Sequence, residues 1–290
     1  MKDFIPRQLS YRFFDTNKNK LIFYCGPEYP STANIELAGL PTLNSAEIRI
    51  FNLNSNVMNL LSFLNYKSLE ISNITVECLV DKEIVFRGDI IESMPIYDIP
   101  NPYLQVKAMT DIYYMVKQSK DIVYNIPEDK YSIVVSIKDI INQIFSDTKK
   151  NISYYGVDKV NITNPRYLGS KIQQLEKIKE EAQINIVLNF DSVIVFPKLK
   201  IFRIGKIIEI DGNGNKIVNQ IKNDKEGVNA TFLFNNSITM GKTIRITDCK
   251  LNIQANGEFI IYDVRHSLSC NIPNGDFFTE VKARYLSEAQ

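Results

Sequence analysis

The chain has 290 residues, of which 44% are hydrophobic and 23% charged, and these fractions are ordinary for a soluble globular protein of about two domains. A formal net charge of +1, from 34 basic and 33 acidic residues, gives no reason to expect an anionic membrane or a nucleic acid as a partner. One histidine excludes most histidine-based metal sites, and the lack of any apolar run of about 18 residues argues against a membrane span. The N-terminal stretch MKDFIPRQLSYRFFD has no apolar run suited to a signal peptide, so we expect no export signal of that type.

The first third of the chain predicts a β-rich unit with one helix. Short apolar runs at 21–25, 34–39 and 46–53 alternate with turn residues and predict strands. Apolar residues at helical spacing follow from Asn54 to Asn65, with Asn54 or Ser55 as the N-cap. The runs ITVECLV and EIVFRGDII then predict a hairpin that turns at Asp81-Lys82, and PYLQVKAM predicts one more strand.

The middle of the chain predicts a small α/β unit after a boundary region at 110–135. Ser136 and Asp139 form a capping pattern ahead of an amphipathic helix, and a second amphipathic helix starts near Ser170. INIVLNF and VIVFPK flank Asp191-Ser192 and predict a hairpin. From residue 199 onward the pattern is again that of β-strands with turns rich in glycine and asparagine.

Two segments about 174 positions apart repeat one pattern, VFRGDIIESMPIYDIPNPYLQVKA near residue 85 and FIIYDVRHSLSCNIPNGDFFTEVKA near the end. Their alignment matches Asp89 with Asp263, Ser93 with Ser267, Pro100 with Pro273, and Val106 with Val281. The register drifts by one residue either way, as loop insertions between two copies of a β unit would produce. The repeat therefore predicts a duplicated barrel-like module.

Motifs that suggest chemistry have simpler structural explanations in this sequence. The tripeptide Arg87-Gly88-Asp89 falls inside the repeated strand pattern, which argues against an adhesive loop. His266 lies in the second copy of the repeat, where we expect a partly exposed strand or loop histidine. The stretch from Asp211 to Asn215 imitates a calcium loop but is followed by lysines at its sixth and twelfth positions, so we expect a turn.

The cysteines do not form a pattern for metal binding or for redox chemistry. Cys25, Cys78, Cys249 and Cys270 all lie in or beside apolar stretches and are expected to be buried free thiols. The sequence has no nucleophile elbow, phosphate-binding loop or zinc-protease motif, and we expect no cofactor and no bound metal.

The order of these parts resembles the baseplate hub proteins of tailed bacteriophages, which are related to the hub portion of type VI secretion spikes and to phage late-control proteins. The segments that carry the resemblance lie between residues 45 and 290; they are ITVECLVDKEIVFRGDIIES, SIKDIINQIFSD, YLGSKIQQLEKIKEEAQINIVLNFDSVIVF and SITMGKTIRITDCKLNIQANGEFIIYDVRHSLSCNIPNGDFFTEVKARY. The resemblance implies an α+β, mainly β fold in which two similar tube-like β-barrel modules, 1–115 and 201–290, flank a small α/β domain at 116–200.

The resemblance also implies a structural function without catalysis. Three copies would form a homotrimeric ring with pseudo-sixfold symmetry that adapts the tail tube to the central spike. Its partners would be a tail tube or distal tail protein, the spike protein and the tape-measure protein, with no membrane and no sequence-specific nucleic acid. We expect it in the tail baseplate of the virion, assembled in the host cytoplasm.

Two other functions remain open at the level of the sequence. A carbohydrate- or receptor-binding β module of the tail tip would need exposed aromatic platforms, and the 15 tyrosines leave this possible although tryptophan is absent. A tail-associated hydrolase would need carboxylates such as Glu180 or Asp191 to meet in a cleft, and nothing in their spacing favours that.

Overall fold

The N-terminal part of the chain forms one helix and seven strands, and these strands belong to a large sheet. The computed structural model describes residues 7–15, 19–62, 74–98, 100–128, 131–198, 205–213, 217–218, 221–224 and 227–285. The N-terminal elements are β1 (Leu9–Asp15), β2 (Lys20–Cys25), β3 (Ser31–Leu37), β4 (Ser45–Phe51), α1 (Ser55–Leu61), β5 (Ile74–Val80), β6 (Glu83–Ile96) and β7 (Tyr103–Met109).

The middle of the chain forms three helices and several short strands. They are α2 (Ile112–Val116), β8 (Ile122–Val123), β9 (Val134–Ser136), α3 (Ile137–Ile144), β10 (Asn151–Tyr154), β11 (Asn161–Thr163), β12 (Arg166–Tyr167), α4 (Lys171–Glu181), β13 (Ile184–Leu188) and β14 (Ser192–Pro197). None of the helices in the described ranges is long and apolar enough to cross a membrane.

The C-terminal part returns to the large sheet. Its elements are β15 (Ile208–Asp211), β16 (Lys222–Asp224), β17 (Gly227–Leu233), β18 (Thr243–Thr247), a 3-10 turn (Ile253–Ala255), β19 (Gly257–Cys270) and β20 (Phe277–Tyr285). Among the described residues the large sheet has 13 strands, and its main path runs β16-β17-β20-β19-β3-β4-β7-β6-β5-β1-β2. Off this path, β18 pairs with β19, and β15 pairs with β18. Among the described residues this path stays open, so strand pairing alone does not close either half into a barrel.

Two large hydrophobic cores lie under these elements, with a small third cluster in which Val187 and Phe196 of the β13–β14 hairpin pack with Met240. One core is shared by the N-terminal and C-terminal strands and includes Tyr11, Ile48, Phe259 and Val281, which are almost completely buried. The second core belongs to the middle of the chain and also takes in Leu40 and Leu43 from the loop between β3 and β4. The loop therefore ties the large sheet to the middle domain.

The predicted helices and hairpins occur where the described residues cover them, although the Ser136 side chain accepts a hydrogen bond from the Lys138 amide and is not part of a capping box with Asp139. The Asn54 side chain accepts a hydrogen bond from the Val57 amide at 2.9 Å, so it is the N-cap of α1. Ser170 and Gln173 form a reciprocal capping box at the start of α4. The hairpin turns at Asp81-Lys82 and at Asp191 lie where the sequence placed them.

We expect equal thermodynamic cost from truncating either of two equivalent core side chains. Ile90 in β6 and Ile261 in β19 are 1% and 0% exposed and belong to the same core. Ile90→Ala and Ile261→Ala should each lower the free energy of unfolding by about 2–5 kcal/mol and shift one common transition, measured by urea denaturation. Ile253→Ala is the control because Ile253 is 75% exposed. Separate transitions for the two core variants would contradict a shared core.

Candidate functional site

The same four-strand unit occurs at both ends of the chain. In the N-terminal unit the strands lie in the order β4-β7-β6-β5, and in the C-terminal unit the order is β17-β20-β19-β18. Every neighbouring pair in both units is antiparallel. Across the sheet, each unit places its first strand in chain order beside its fourth, then its third, then its second, so the two units have one topology. The duplication expected from the sequence is therefore present at the level of strand order.

The long strand of each unit carries a β-bulge at the same place. In β6 the register shifts between Ile90 and Glu92, and in β19 it shifts between Ile261 and Asp263. Directly after the bulge an acidic residue faces a lysine on the next strand. Glu92 lies 3.2 Å from Lys107, and Asp263 lies 3.0 Å from Lys282. The two bulges therefore bend the long strand at equivalent positions, and each is followed by an ion pair between an acidic residue and a lysine.

This register corrects part of the sequence alignment. Glu92, and not Asp89, occupies the position of Asp263, because both face the matching lysine of the next strand. Ser93 likewise matches Val264 and not Ser267, while Val106 and Val281 are equivalent as aligned. The connection between equivalent paired positions is longer in the C-terminal unit, since Ile96 pairs with Tyr103 while the equivalent Ser267 pairs with Phe278. An alignment without a gap therefore slides the long strand by three residues.

The hairpin loops of the repeat agree with the alignment more closely. Pro100 and Pro273 both lie in the connection that follows the long strand, although Ile99 lies outside the described residues. Ser267 pairs with Phe278 on β20, and its equivalent by register is Ile96, which pairs with Tyr103 on β7.

A charged triad links each four-strand unit to the strand beside it. The signs of the charges in one triad are opposite to those in the other. In the N-terminal unit Glu77 lies 2.9 Å from Arg12 and 3.2 Å from Arg87. Glu77 faces Arg12 on β1 and Arg87 on β6 by register. The triad therefore reads Arg-Glu-Arg across β1, β5 and β6, and its central carboxylate is almost fully buried.

The C-terminal unit places the opposite charges at the same register positions. Arg245 on β18 lies 2.7 Å from Glu209 on β15 and 2.5 Å from Glu258 on β19. Hydrogen bonding to Glu258 raises the pKa of Arg245. The triad reads Glu-Arg-Glu, although β15 runs parallel to β18 whereas β1 runs antiparallel to β5. The two units thus share their backbone arrangement while they differ in the sign of the local charge.

Strand β3 joins the two units edge to edge. On one side it pairs with β4 of the N-terminal unit, and on the other side it pairs with residues 264–270 of β19 in the C-terminal unit. Arg265 of β19 lies 3.1 Å from Glu36 of β3 across this junction. One chain therefore contains a complete example of how two units are placed side by side.

The middle domain packs against the N-terminal unit through polar and aromatic contacts. The Arg87 guanidinium lies 3.8 Å from the centre of the Phe190 ring. Lys150 lies 2.7 Å from Asp111 and donates to the Asn189 carbonyl at 2.9 Å. Asn44 donates to the Leu188 carbonyl at 3.0 Å. These contacts fix the β13–β14 hairpin next to β6.

Comparison with known protein families decides the identity of this arrangement. The family described as baseplate hub gp41 matches residues 31–283, which cover both four-strand units and the middle domain.

The chain belongs to the baseplate hub gp41 family.

It is a structural protein of the phage tail baseplate, as the resemblance in the sequence indicated. No curated protein sequence matches the chain.

Solved structures share the fold at low sequence identity. A 43 kDa tail protein of prophage MuSo2 from Shewanella oneidensis is 8% identical, with a TM-score of 0.62 and 97% of each chain covered. A tail protein from Neisseria meningitidis is 11% identical, with a TM-score of 0.61 and 97% of each chain covered. The E. coli c3393 protein, a type VI secretion component, is 8% identical with a TM-score of 0.56, over 89% of this chain and 74% of that one. At these identities the likeness concerns the fold.

The hub protein's Arg87-Gly88-Asp89 tripeptide is part of the sheet, as predicted. All three residues pair with β5, opposite Glu77, Val76 and Thr75. Burial and the nearby Asp111 carboxylate raise the pKa of Asp89 to about 6. The tripeptide thus contributes backbone pairing with β5 and, through Arg87, an ion pair with Glu77.

His266 lies in a strand, as predicted, but the expectation that it would be partly exposed is wrong. Its side chain is 1% exposed, and its Nδ1 atom lies 2.9 Å from the Thr279 hydroxyl. The Phe234 ring meets it edge-on at 5.2 Å. Burial lowers the pKa of His266 to about 4, so the ring is neutral near pH 7. Strand alternation directs this side chain into the core on the same face as Val264 and Leu268, and this alternation was the signal in the sequence that could have predicted its burial.

The other candidate residues are structural in the described chain. The four cysteines are buried free thiols, as predicted. Glu180 is exposed near the end of α4 and Asp191 is exposed in the turn between β13 and β14, and no hydrogen bond or ion pair of the described residues joins them. Asp211 accepts a hydrogen bond from the Asn213 amide at 3.0 Å, as in a turn, while 214–216 lie outside the described residues. No described group of acidic, histidine or cysteine side chains could hold a metal ion.

Removing the central charge of the N-terminal triad should destabilise the protein. Glu77→Gln leaves Arg12 and Arg87 without their shared carboxylate, and we expect a loss of about 1–3 kcal/mol in the free energy of unfolding. This is below the cost for a fully buried pair because the side chains of Arg12 and Arg87 are 35% and 25% exposed. Glu47→Gln is the matched control at the exposed Arg49–Glu47 pair and should cost under about 1 kcal/mol. Equal effects of the two variants would argue against the triad as a stabilising element.

Mild acid should weaken the fold through His266. The unfolded histidine has a pKa near 6.5 and the folded one near 4, so protons bind more readily to the unfolded chain between these values. The contribution of neutral His266 is complete above pH 6.5 and is lost as the pH falls towards 4. In denaturation series across this range, His266→Asn should show a smaller loss of stability than the wild type. Parallel pH profiles for the two proteins would contradict a buried neutral histidine.

Proposed function

We propose that this baseplate hub protein is a non-catalytic homotrimeric ring that adapts the sixfold tail tube to the threefold central spike. The observation that carries the proposal is the pair of equivalent four-strand units joined edge to edge by β3. Three chains with two units each supply six similar units. A closed ring gives every junction between units a partner, whereas an open assembly leaves unpaired unit edges at its ends, which supports a cyclic assembly over an open one.

The inverted triads give the proposed ring a symmetry suited to an adaptor. The backbone arrangement repeats in every unit, so a sixfold partner meets six similar surfaces. The triad charges change sign from one unit to the next, since one unit carries Arg-Glu-Arg and the other Glu-Arg-Glu. A threefold partner can therefore distinguish alternate units by charge.

In this proposal the segments 1–115 and 201–290 form the two tube-like modules around their common core, and 116–200 forms the middle domain. One end of the ring binds the tail tube or distal tail protein, and the other end binds the spike. Tape-measure protein is a further partner within the tail. Assembly in the host cytoplasm precedes incorporation into the virion.

The receptor-binding alternative has less support among the described residues. It needs several aromatic side chains on one exposed platform. The exposed tyrosines among the described residues are Tyr24, Tyr97, Tyr131 and Tyr285, which belong to four different segments of the chain. We therefore propose the ring and not a glycan-binding module.

The proposed ring is tested by the mass of the assembled protein. Co-expressed with its tube and spike proteins, the hub should sediment as a complex that contains three copies, and cryo-electron microscopy should show six similar lobes. Hub protein expressed alone is the control for dependence on partners. A hub that stays monomeric in the presence of both partners would contradict the proposal, and strong binding to a glycan array would favour the alternative.

A further inference from the structure

The outer edge of the long strand is covered differently in the two units. In the C-terminal unit, β18 pairs with the first part of β19 and β3 pairs with residues 264–270. In the N-terminal unit, β5 pairs with β6 only as far as Asp89. Among the described residues no strand pairs with the outer edge of β6 from Glu92 to Ile96. This stretch is the equivalent of the part of β19 that β3 covers.

Strand alternation identifies the backbone groups on that edge. The Thr110 amide donates to the Asn44 carbonyl, so even-numbered residues of β7 bond with β4 and odd-numbered ones bond with β6. Met94 and Ile96 face the odd-numbered Gln105 and Tyr103, so their backbone groups bond with β7. The backbone groups of Ser93 and Pro95 therefore point outward. Proline is tolerated at such an edge because it has no backbone N–H that would require a hydrogen-bond acceptor.

The strand that would match this edge is β16. In the N-terminal unit, Ile35 of β3 faces Ala46 of β4. In the C-terminal unit, Asn223 of β16 faces Val228 of β17. Ala46 and Val228 are equivalent because they face Ala108 and Ala283 of the matching strands. β16 therefore occupies the same position beside β17 that β3 occupies beside β4. In the described chain, β16 pairs with a strand on one side only.

We propose that β16 of one copy pairs antiparallel with Glu92–Ile96 of β6 in the next copy, in the register that β3 uses on β19. This inference rests on the proposed ring and specifies its interface. Ile35 faces His266 inside the chain, and the position of His266 corresponds to Pro95. Between copies, Asn223 then faces Pro95, and its neighbour Lys222 faces Ile96.

A second copy fits this edge better than an unrelated strand. The geometry already exists once in the chain, at the β3–β19 junction, and six units in a closed ring require it to recur between chains. The contact is short, since β16 spans Lys222–Asp224 and Pro95 can accept but not donate a hydrogen bond. Such an edge does not promote open-ended sheet growth, so pairing depends on a partner that also matches in shape.

The two kinds of junction differ in charge. Inside the chain, Arg265 forms an ion pair with Glu36 across β19 and β3. The equivalent of Arg265 by register is Met94, which carries no charge. The junction between copies therefore lacks this ion pair, and we expect it to be less sensitive to salt than pairing through opposite charges would be.

Paired cysteines test the register directly. Ile96 and Lys222 would form a pair without mutual backbone hydrogen bonds, in which the Cα atoms lie about 4.5 Å apart and a disulfide can form. Mild oxidation of Ile96→Cys/Lys222→Cys in the assembled hub should give a covalent trimer on non-reducing gels. The native thiols should contribute little, because they are buried and burial raises the pKa of Cys25 to about 12.

The matched control uses the junction inside the chain. Asn34 and Ser267 face each other across β3 and β19 and are the equivalents of Lys222 and Ile96. Asn34→Cys/Ser267→Cys should therefore oxidise within one chain, with no increase in mass. Mixing the single variants Ile96→Cys and Lys222→Cys should give covalent dimers only, which confirms the pairing without relying on the double variant.

The outcomes separate this interface from the ring itself. Covalent trimers from the double variant, together with dimers from the mixed single variants, support the pairing. A trimeric hub that forms no cross-link at these positions overturns the pairing and leaves the proposed ring intact. A disulfide within one chain of Ile96→Cys/Lys222→Cys also overturns the pairing. A hub that is monomeric with its tube and spike proteins overturns both proposals.

Discussion

Pairing of β3 on both of its edges is the interaction on which the rest of the structure depends. The strand bonds to β4 on one side and to β19 on the other, and so turns two separate antiparallel units into one 13-stranded sheet. A sheet edge left without a partner exposes backbone donors and acceptors, which favours pairing with any available strand. Here the partner is supplied by the same chain, which fixes the distance and register between the two units.

The two units preserve their backbone register while their side chains have diverged. The bulge and its acid–lysine pair recur in both, but the triad beside it changes from Arg-Glu-Arg to Glu-Arg-Glu. A triad of alternating charges is satisfied with either sign, since each central group meets two opposite charges at contact distance. Duplication can therefore keep the shape of a unit and reverse its local charge without leaving a buried ion unpaired.

Local features of this fold could be predicted from the sequence, and non-local ones could not. The cap at Asn54, the helix start near Ser170 and the hairpin turns depend on neighbouring residues, so their signals are contained in short segments. The sequence indicated β structure from residue 199 onward but did not delimit β17 (Gly227–Leu233), because its glycine, asparagine and alanine dilute the alternation expected of a strand. The contact between Glu36 and Arg265 joins residues 229 positions apart, and nothing in one sequence reveals such a pairing. The repeat was visible, but its register needed the bulge and loop lengths.

The middle domain gives the two units different surroundings, and one contact that distinguishes them involves a residue of the N-terminal triad. Arg87 serves two contacts, since it pairs with Glu77 and also lies over the Phe190 ring of the β13–β14 hairpin. At the equivalent position of the C-terminal unit stands Glu258, and a carboxylate is repelled by the negative face of an aromatic ring. Inversion of the charge therefore allows this docking contact on one unit and disfavours it on the other. In a ring of three chains the sheet would repeat six times while the docked hairpin repeats three times, so one substitution pattern accounts for both symmetries.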